Sequence, residues 1–349
     1  MSHQNGRRYL SLLLFLFPLL ALLLACTPSH PQSTFDALGD VAQKQLLLFR
    51  VIFWAAVFVF VVVEAILLYS VIRFRRRPNQ AHPVPIHGNS RLEWAWTLAP
   101  AIVLAVIAVP TVRYVFETGN VPENEALRIK VIGHQWWWEF RYPQEYGNVV
   151  TANELRIPVG QVVVLTLESK DVIHSFWIPK LAGKVDLIPN RTNIMWIRAE
   201  SEGEFYGQCA EFCGIAHAKM RFRVKAEASE SFEAWVKAMK APPPPPGSDA
   251  EAEGARLFTQ KGCIACHKIE GTAAVGILGP NLTLFASRST VGAGILDNTE
   301  YNVARWLRDP DEVKRGNLMA ALAPFYRDPT MRLKEGEIEA LVAYLHSLQ

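Results

Sequence analysis

A chain of 349 residues exceeds one small domain and leaves room for two soluble domains plus membrane segments. Half of its residues are hydrophobic, gathered towards the N-terminus, and the formal net charge is only +3, which excludes the strongly basic field of a nucleic-acid binder. The balance also holds locally: residues 119–240 carry 15 basic and 15 acidic side chains and residues 247–349 carry 11 and 13, so neither half calls for an oppositely charged partner.

In chain order, residues 1–25 read as an export signal. Arg7 and Arg8 form a positive n-region, Leu10 to Leu24 an apolar core, and small Ala25 precedes Cys26. Leu23-Leu24-Ala25-Cys26 resembles the lipobox of bacterial lipoproteins, which implies cleavage before Cys26 and lipidation of its sulfur. An uncleaved anchor helix with an incidental cysteine is the alternative. Residues 26–45 then form an exported tether.

Residues 46–72 make the next apolar run, broken only by Arg50, Glu64 and Ser70, and exceed the ~20 residues needed to cross a bilayer. Arg73, Arg75, Arg76 and Arg77 follow at once and fix that end in the cytoplasm. Residues 73–93 form a cytoplasmic loop, and residues 94–117 span back. Everything later lies outside a bacterial cytoplasmic membrane, in a multi-pass protein that contacts membrane lipid. Glu64 is the oddity of the first span, because an ionisable side chain there is costly and usually functional. It sits ~13 Å from Arg73 at ~1.5 Å per residue.

Residues 118–240 switch to strand-like texture. Short alternating or β-branched runs at 128–132, 162–167, 193–197 and 221–224, separated by turn residues, predict a β-sandwich, and Ser231 to Lys240 a short closing helix. Residues 241–247 contain five consecutive prolines and predict a semi-rigid spacer. Residues 248–349 predict a mainly helical domain. Ser248-Asp249-Ala250-Glu251 matches a capping box, and Ile338, Leu341, Val342, Leu345 and Leu348 line one face of a last helix.

Beyond Cys26, the cysteines form two close pairs suited to site chemistry rather than to a disulfide framework. Cys263-Ile264-Ala265-Cys266-His267 is the pattern of c-type haem attachment: both thiols add to the haem vinyl groups and His267 supplies one axial ligand. A methionine, Met319 or Met331, is expected as the second. Cys209, Cys213, His217 and Met220 offer two thiolates, an imidazole and a thioether in one short loop, a donor set that selects copper. Two thiolates four residues apart are able to bridge a metal pair, and His174 is a candidate further nitrogen. A small-loop disulfide would leave His217 and Met220 without a role.

These residues carry a resemblance to subunit II of haem–copper cytochrome c oxidases. It rests on Gly133-His134-Gln135-Trp136, His174-Ser175, Ile188-Pro189-Asn190-Arg191, Tyr206-Gly207-Gln208-Cys209 through Met220, and Glu93-Trp94-Ala95-Trp96-Thr97 ahead of the second span. Gly279-Pro280-Asn281-Leu282 and the loop around Met319 resemble those of class I cytochromes c, although Ala320 stands where that family commonly has proline. The resemblance implies a cupredoxin-like sandwich with two copper ions held by His174, Cys209, the Glu211 carbonyl, Cys213, His217 and Met220. It further implies a magnesium or manganese ion at the Glu211 carboxylate, Trp136 as the place where electrons come in, and Asp186 and Arg191 near the partner's haem propionates. Glu64 would stand at the mouth of a proton path, or else be a carboxylate paired at a helix contact. The implied partners are the catalytic subunit I, subunit III and a cytochrome c or other donor, with no nucleic acid. The implied activity is electron input for oxygen reduction on a partner, coupled to proton pumping. An input subunit for another reductase, or a lipid-tethered carrier acting alone, are the competing readings; co-purification with a many-helix haem protein and oxygen uptake separate them.

Overall fold

The computed structural model describes residues 30–76, 84–85, 87–122 and 126–349; the export signal, Cys26 and Arg77 lie outside the described residues. Helix α1 spans Asp40–Arg73 and α2 spans Ser90–Gly119, with lengths of about 51 and 45 Å at 1.5 Å per residue. Both are long and apolar enough to cross a membrane, and their apolar side chains point outward. Asn89 caps α2 by accepting from the Arg91 and Leu92 amides.

Helix α1 starts well before the apolar run. Its first turn belongs to the soluble domain: Val41 and Ala42 are buried, the Leu38 amide donates to Lys180 O, and Asp40 pairs with Arg198. Hydropathy marks only the lipid-facing part of a helix, so this polar turn was invisible to it. At the other root Trp196 Nε1 donates to Thr118 O at 3.0 Å, and Lys44 pairs with Glu117 across the two helices at 3.2 Å. Both spans are therefore fixed to the sandwich.

The sandwich has ten strands: β1 (Leu127–His134), β2 (Trp137–Arg141), β3 (Val150–Ala152), β4 (Glu154–Pro158), β5 (Val163–Ser169), β6 (His174–Trp177), β7 (Val185–Leu187), β8 (Asn193–Ile197), β9 (Gly203–Cys209) and β10 (Arg221–Glu227). They form two sheets, ordered β3-β2-β1-β5-β8 and β4-β10-β9-β6-β7, with β1–β5 and β4–β10 parallel and the other pairs antiparallel. Leu127, Ile129 and Val131 alternate inward along β1. Between the sheets Phe176 stacks on Phe222 at 4.3 Å, with Trp138 edge-on to both. Cys209, at the end of β9, pairs with Phe176 on β6, which starts at His174; Gln208 pairs with Arg221. This register brings His174 and both ends of the 209–220 loop to one rim of the sandwich.

Helix α3 (Ser229–Ala238) buries Phe232, Trp235 and Val236, with Tyr142 and Tyr146 packed on its aromatic rings. The C-terminal domain follows with α4 (Asp249–Gln260), a small hairpin of β11 (Thr290–Val291) and β12 (Leu296–Asp297), α5 (Glu300–Arg308), α6 (Pro310–Val313), α7 (Leu318–Leu322), α8 (Pro324–Arg327) and α9 (Glu335–Ser347). Helices α4 and α9 cross at Gly254, where a Cβ would lie 2.0 Å from Ala340 O, so only glycine permits this approach. The capping box is half realised: Ser248 Oγ accepts from the Glu251 amide, but the Glu251 carboxylate accepts from Gly247 N rather than from Ser248 N.

The proline segment does not hold the domains apart, because Pro242 packs on Gly271 and the two domains are docked. Across the junction Arg221 N donates to Ala293 O at 3.0 Å, Asn281 Nδ2 to Val150 O at 2.8 Å, and Ser289 Oγ to Glu154 Oε1 at 3.0 Å. Buried polar groups of each domain are thus satisfied by the other.

Candidate metal centre and the cavity beside it

The 209–220 loop is closed by its own main chain: Cys209 N donates to Met220 O at 2.9 Å, and Met220 N to His217 O at 3.1 Å. This folds four donors inward. Cys209 Sγ lies 3.8 Å from Cys213 Sγ, 3.9 Å from His174 Nδ1 and 3.2 Å from the Glu211 carbonyl oxygen. Cys213 Sγ lies 3.6 Å from His217 Nδ1 and 3.8 Å from Met220 Sδ. Both cysteines are free, and a sulfur separation of 3.8 Å is far beyond a ~2.05 Å disulfide bond. Every donor named from the sequence is therefore in one cluster, and its chemistry fits a pair of soft metal ions bridged by two thiolates.

Electrostatics agree with that fit. The hydrogen bond between the two thiols, reinforced by His174, holds Cys209 well below the ordinary thiol range; the same contact and burial push Cys213 up. At His174 burial opposes protonation, but hydrogen bonds from Asp171 and Cys209 outweigh it and raise the imidazole. Asp171 Oδ1 accepts from His174 Nε2 at 2.8 Å, which leaves the Nδ1 lone pair facing the sulfurs. Asp171 is itself held by the amides of Val172 and Gln135, each at 2.7 Å.

Trp136 sits against this loop. Its Nε1 donates to Cys213 O at 2.9 Å, and Gln135 Nε2 donates to the same oxygen at 2.8 Å. The other side of Trp136 walls a cavity of about 430 Å³ that reaches into the C-terminal domain. Cys263, Cys266, His267 and Met319 line this cavity, together with Trp136 and Trp137 from the sandwich. Met331 lies outside it and is 40% exposed. His267 Nδ1 donates to Pro280 O at 2.8 Å, and burial lowers its pKa, so Nε2 is left neutral and available as a ligand. A Cβ on Gly279 would lie 2.7 Å from His267 Cε1, which accounts for glycine beside Pro280. The apolar volume, two thiols, an imidazole and a thioether suit a covalently held haem.

Other expected residues are more dispersed. Glu64 lies on α1 with no hydrogen-bond or ion-pair partner among the described residues. The Glu211 carboxylate points away from the sulfurs, 3.9 Å from Lys184 Nζ. Asp186 lies on β7 opposite Ser175, and Arg191 follows in an exposed turn. Phe212 and Ile215 on the copper loop are 76% and 64% exposed, an apolar face beside the cluster. Asp171 and Gln135 were missed as functional residues; Gln135 stands inside the Gly133–Trp136 motif, and Asp171, three residues before His174, had only that spacing as a signal. Trp137 as a cavity wall and Lys314 as a contact to Trp136 O had no local signal.

Comparison with known proteins bears on the whole chain. Residues 30–114 match the family "Cytochrome C oxidase subunit II, transmembrane domain", residues 145–227 match "Cytochrome C oxidase subunit II, periplasmic domain", and residues 251–349 match "Cytochrome c". Cytochrome c oxidase subunit 2 of Bacillus subtilis is 35% identical over 356 aligned residues, covering 97% of both chains. That of Alkalihalophilus pseudofirmus is 39% identical, covering 83% of this chain and 82% of the relative. Among solved structures, the periplasmic domain of subunit II of cytochrome oxidase from Bradyrhizobium japonicum aligns at 34% identity with a TM-score of 0.33, covering 35% of this chain and 97% of that one.

Proposed function

The chain belongs to the cytochrome c oxidase subunit II family, and on that premise we infer how its residues divide the task of bringing electrons to the catalytic subunit. As a member it lies in a bacterial membrane on two spanning helices, with its soluble domains on the periplasmic side, and it works with the haem–copper subunit I. Cys209, Cys213, His174, His217, Met220 and the Glu211 carbonyl would hold two coppers. Cys263 and Cys266 would attach one haem, and His267 and Met319 would hold its iron; Met319 is preferred because it lines the cavity and Met331 does not. These groups supply reversible one-electron chemistry. The chain supplies fixed coordination, a dry wall and a short hydrogen-bonded route between the two sites.

The observation that carries this reading is Trp136, which lines the haem cavity and donates its indole N–H to the carbonyl of a copper-bridging cysteine. Trp136 would carry electrons that an external cytochrome c or other donor delivers through the C-terminal domain towards the 209–220 loop. The Glu211 carboxylate takes a magnesium or manganese ion shared with subunit I, and Asp186 and Arg191 face the partner's haem propionates. Glu64 serves proton uptake, and subunit III completes the assembly. Cleavage ahead of Cys26 and lipidation of its sulfur add a second membrane attachment. Residues 118–240 and 248–349 act as the copper and haem domains, joined through 241–247.

Visible and EPR spectra of the full chain test the two-site reading. A low-spin c-haem band and a mixed-valence dicopper signal are expected together. Met220→Leu should perturb the copper signal and leave the haem band alone; a change in both undermines the division. A single bound zinc, or a Cys209–Cys213 disulfide in the active complex, contradicts the copper assignment.

A further inference from the structure

Two lysines meet at the junction of the domains, one from each side, and they differ in what they face. Lys219, within the 209–220 loop, donates to Val313 O and has no part in the cavity wall. Lys314, from the C-terminal domain, is 3% exposed and reaches the opposite way, donating to Trp136 O and, at 3.2 Å, to Gly292 O. An ammonium has three N–H donors, and two are used. No carboxylate lies within ion-pair distance of it among the described residues. Burial pushes Lys314 down to about 7, with the Cys213 side chain opposing the fall and Lys219 adding to it. A buried cation with no anionic partner is costly, so a fold that keeps one implies that an anion arrives. Lys314 also lines the cavity that holds Cys263, Cys266 and His267. A haem placed there brings two carboxylates. Arg288, a half-buried cation of that wall, already donates to Asn281 O and has the charge of Glu154 acting on it.

We propose that Lys314 is a positioning residue for electron transfer: it binds a haem carboxylate with its remaining donor while holding the Trp136 main chain with another. Haem loading and domain docking then support each other. The haem edge is drawn to the side of the cavity where Trp136 leads to the copper loop, and a domain without haem leaves Lys314 unpaired and the junction weakened. Gly316, two residues on, has Trp136 and Ile215 atoms within 3.4 Å of the place a Cβ would occupy, so the backbone after Lys314 is fitted to the same surface. The inference rests on haem attachment at Cys263 and Cys266.

The test is a redox titration of the c-haem band in the full chain purified with its oxidase, alongside hydrogen exchange over residues 289–294, which lie in the junction. Lys314→Met removes a cation beside the haem, so the ferric form gains. A roughly tenfold change in the ferric-to-ferrous ratio at fixed potential, ~59 mV towards lower potential, is expected, together with faster exchange. Lys314→Arg should keep both near the unsubstituted values. Lys219→Met should speed exchange near Val313 and leave the potential alone. An unmoved potential in haem-loaded Lys314→Met overturns the proposal, as does an equal shift in Lys219→Met. If Lys314→Met fails to attach haem, restoration by Lys314→Arg supports the need for a cation, and failure of both overturns it. Mass spectrometry separates the levels: an unsubstituted chain with no haem on Cys263 and Cys266 defeats the site reading itself.

Discussion

The copper loop and the haem cavity are built on opposite plans. In the loop, Cys209, Cys213, His217 and Met220 come from one short segment closed by its own hydrogen bonds, and His174 joins through strand register. In the cavity, the attachment cysteines are adjacent, but the walls come from α4, α7, α9, the 278–293 segment and the sandwich residues Trp136 and Trp137. The contrast shows where each function is vulnerable. A centre assembled locally survives isolation of its domain, whereas a pocket completed by a neighbour depends on docking.

The largest effect should come from Cys213→Ser, which removes one bridging thiolate. EPR of the purified chain is expected to lose the mixed-valence dicopper signal altogether while the c-haem band persists; a retained mixed-valence signal would break the comparison. Next comes separating the domains. Residues 118–240 alone should keep the dicopper signal, whereas 248–349 alone should attach haem with a shifted potential, because Trp136 and Trp137 no longer exclude water. Unchanged haem potential in the isolated domain would show that the sandwich contributes no wall.

Asp171→Asn is a smaller perturbation. It keeps the size of the side chain but loses the carboxylate that fixes the His174 tautomer, and outer hydrogen bonds of this kind are worth ~10–100-fold in metal affinity. Competition with a copper chelator should read that loss without moving the haem band; an unchanged affinity would detach Asp171 from the site. Ser248→Ala, far from both centres, removes one cap from α4 and should lower the stability of the C-terminal domain by about 1 kcal/mol in denaturant unfolding. A loss of several kcal/mol would mean that the α4 start, and not the α4–α9 crossing at Gly254, holds the domain together.

Legibility follows the same divide. The copper donors lie close together in the sequence, so their chemistry could be read from residue types and spacing, and His174 became a candidate because it follows the 162–167 strand and could approach from a neighbouring one. The CxxCH pattern was equally plain. The strands that could be read were the β-branched ones; β2, with Trp137, Trp138 and Phe140 between charged residues, does not carry that pattern, yet it holds the core. The docking surface was beyond reach for a physical reason. Asn281, Ser289 and Lys314 are ordinary polar residues whose burial arises only when another domain, distant in sequence, supplies Val150 O, Glu154 and Trp136 O. The first turn of α1 escaped notice for the same reason, since Val41 and Ala42 are packed by residues near Leu181 rather than by lipid.

The central claim is that Trp136 joins the two sites, and electron transfer within the complete chain measures it most directly. After rapid reduction of the c-haem in the assembled oxidase, the unsubstituted chain should pass the electron to the copper pair quickly. Trp136→Leu should slow that step at least ~10-fold, equivalent to about 1.4 kcal/mol on the barrier, with both spectra intact. Transfer at the same rate in Trp136→Leu, with haem and copper fully loaded, would contradict the account.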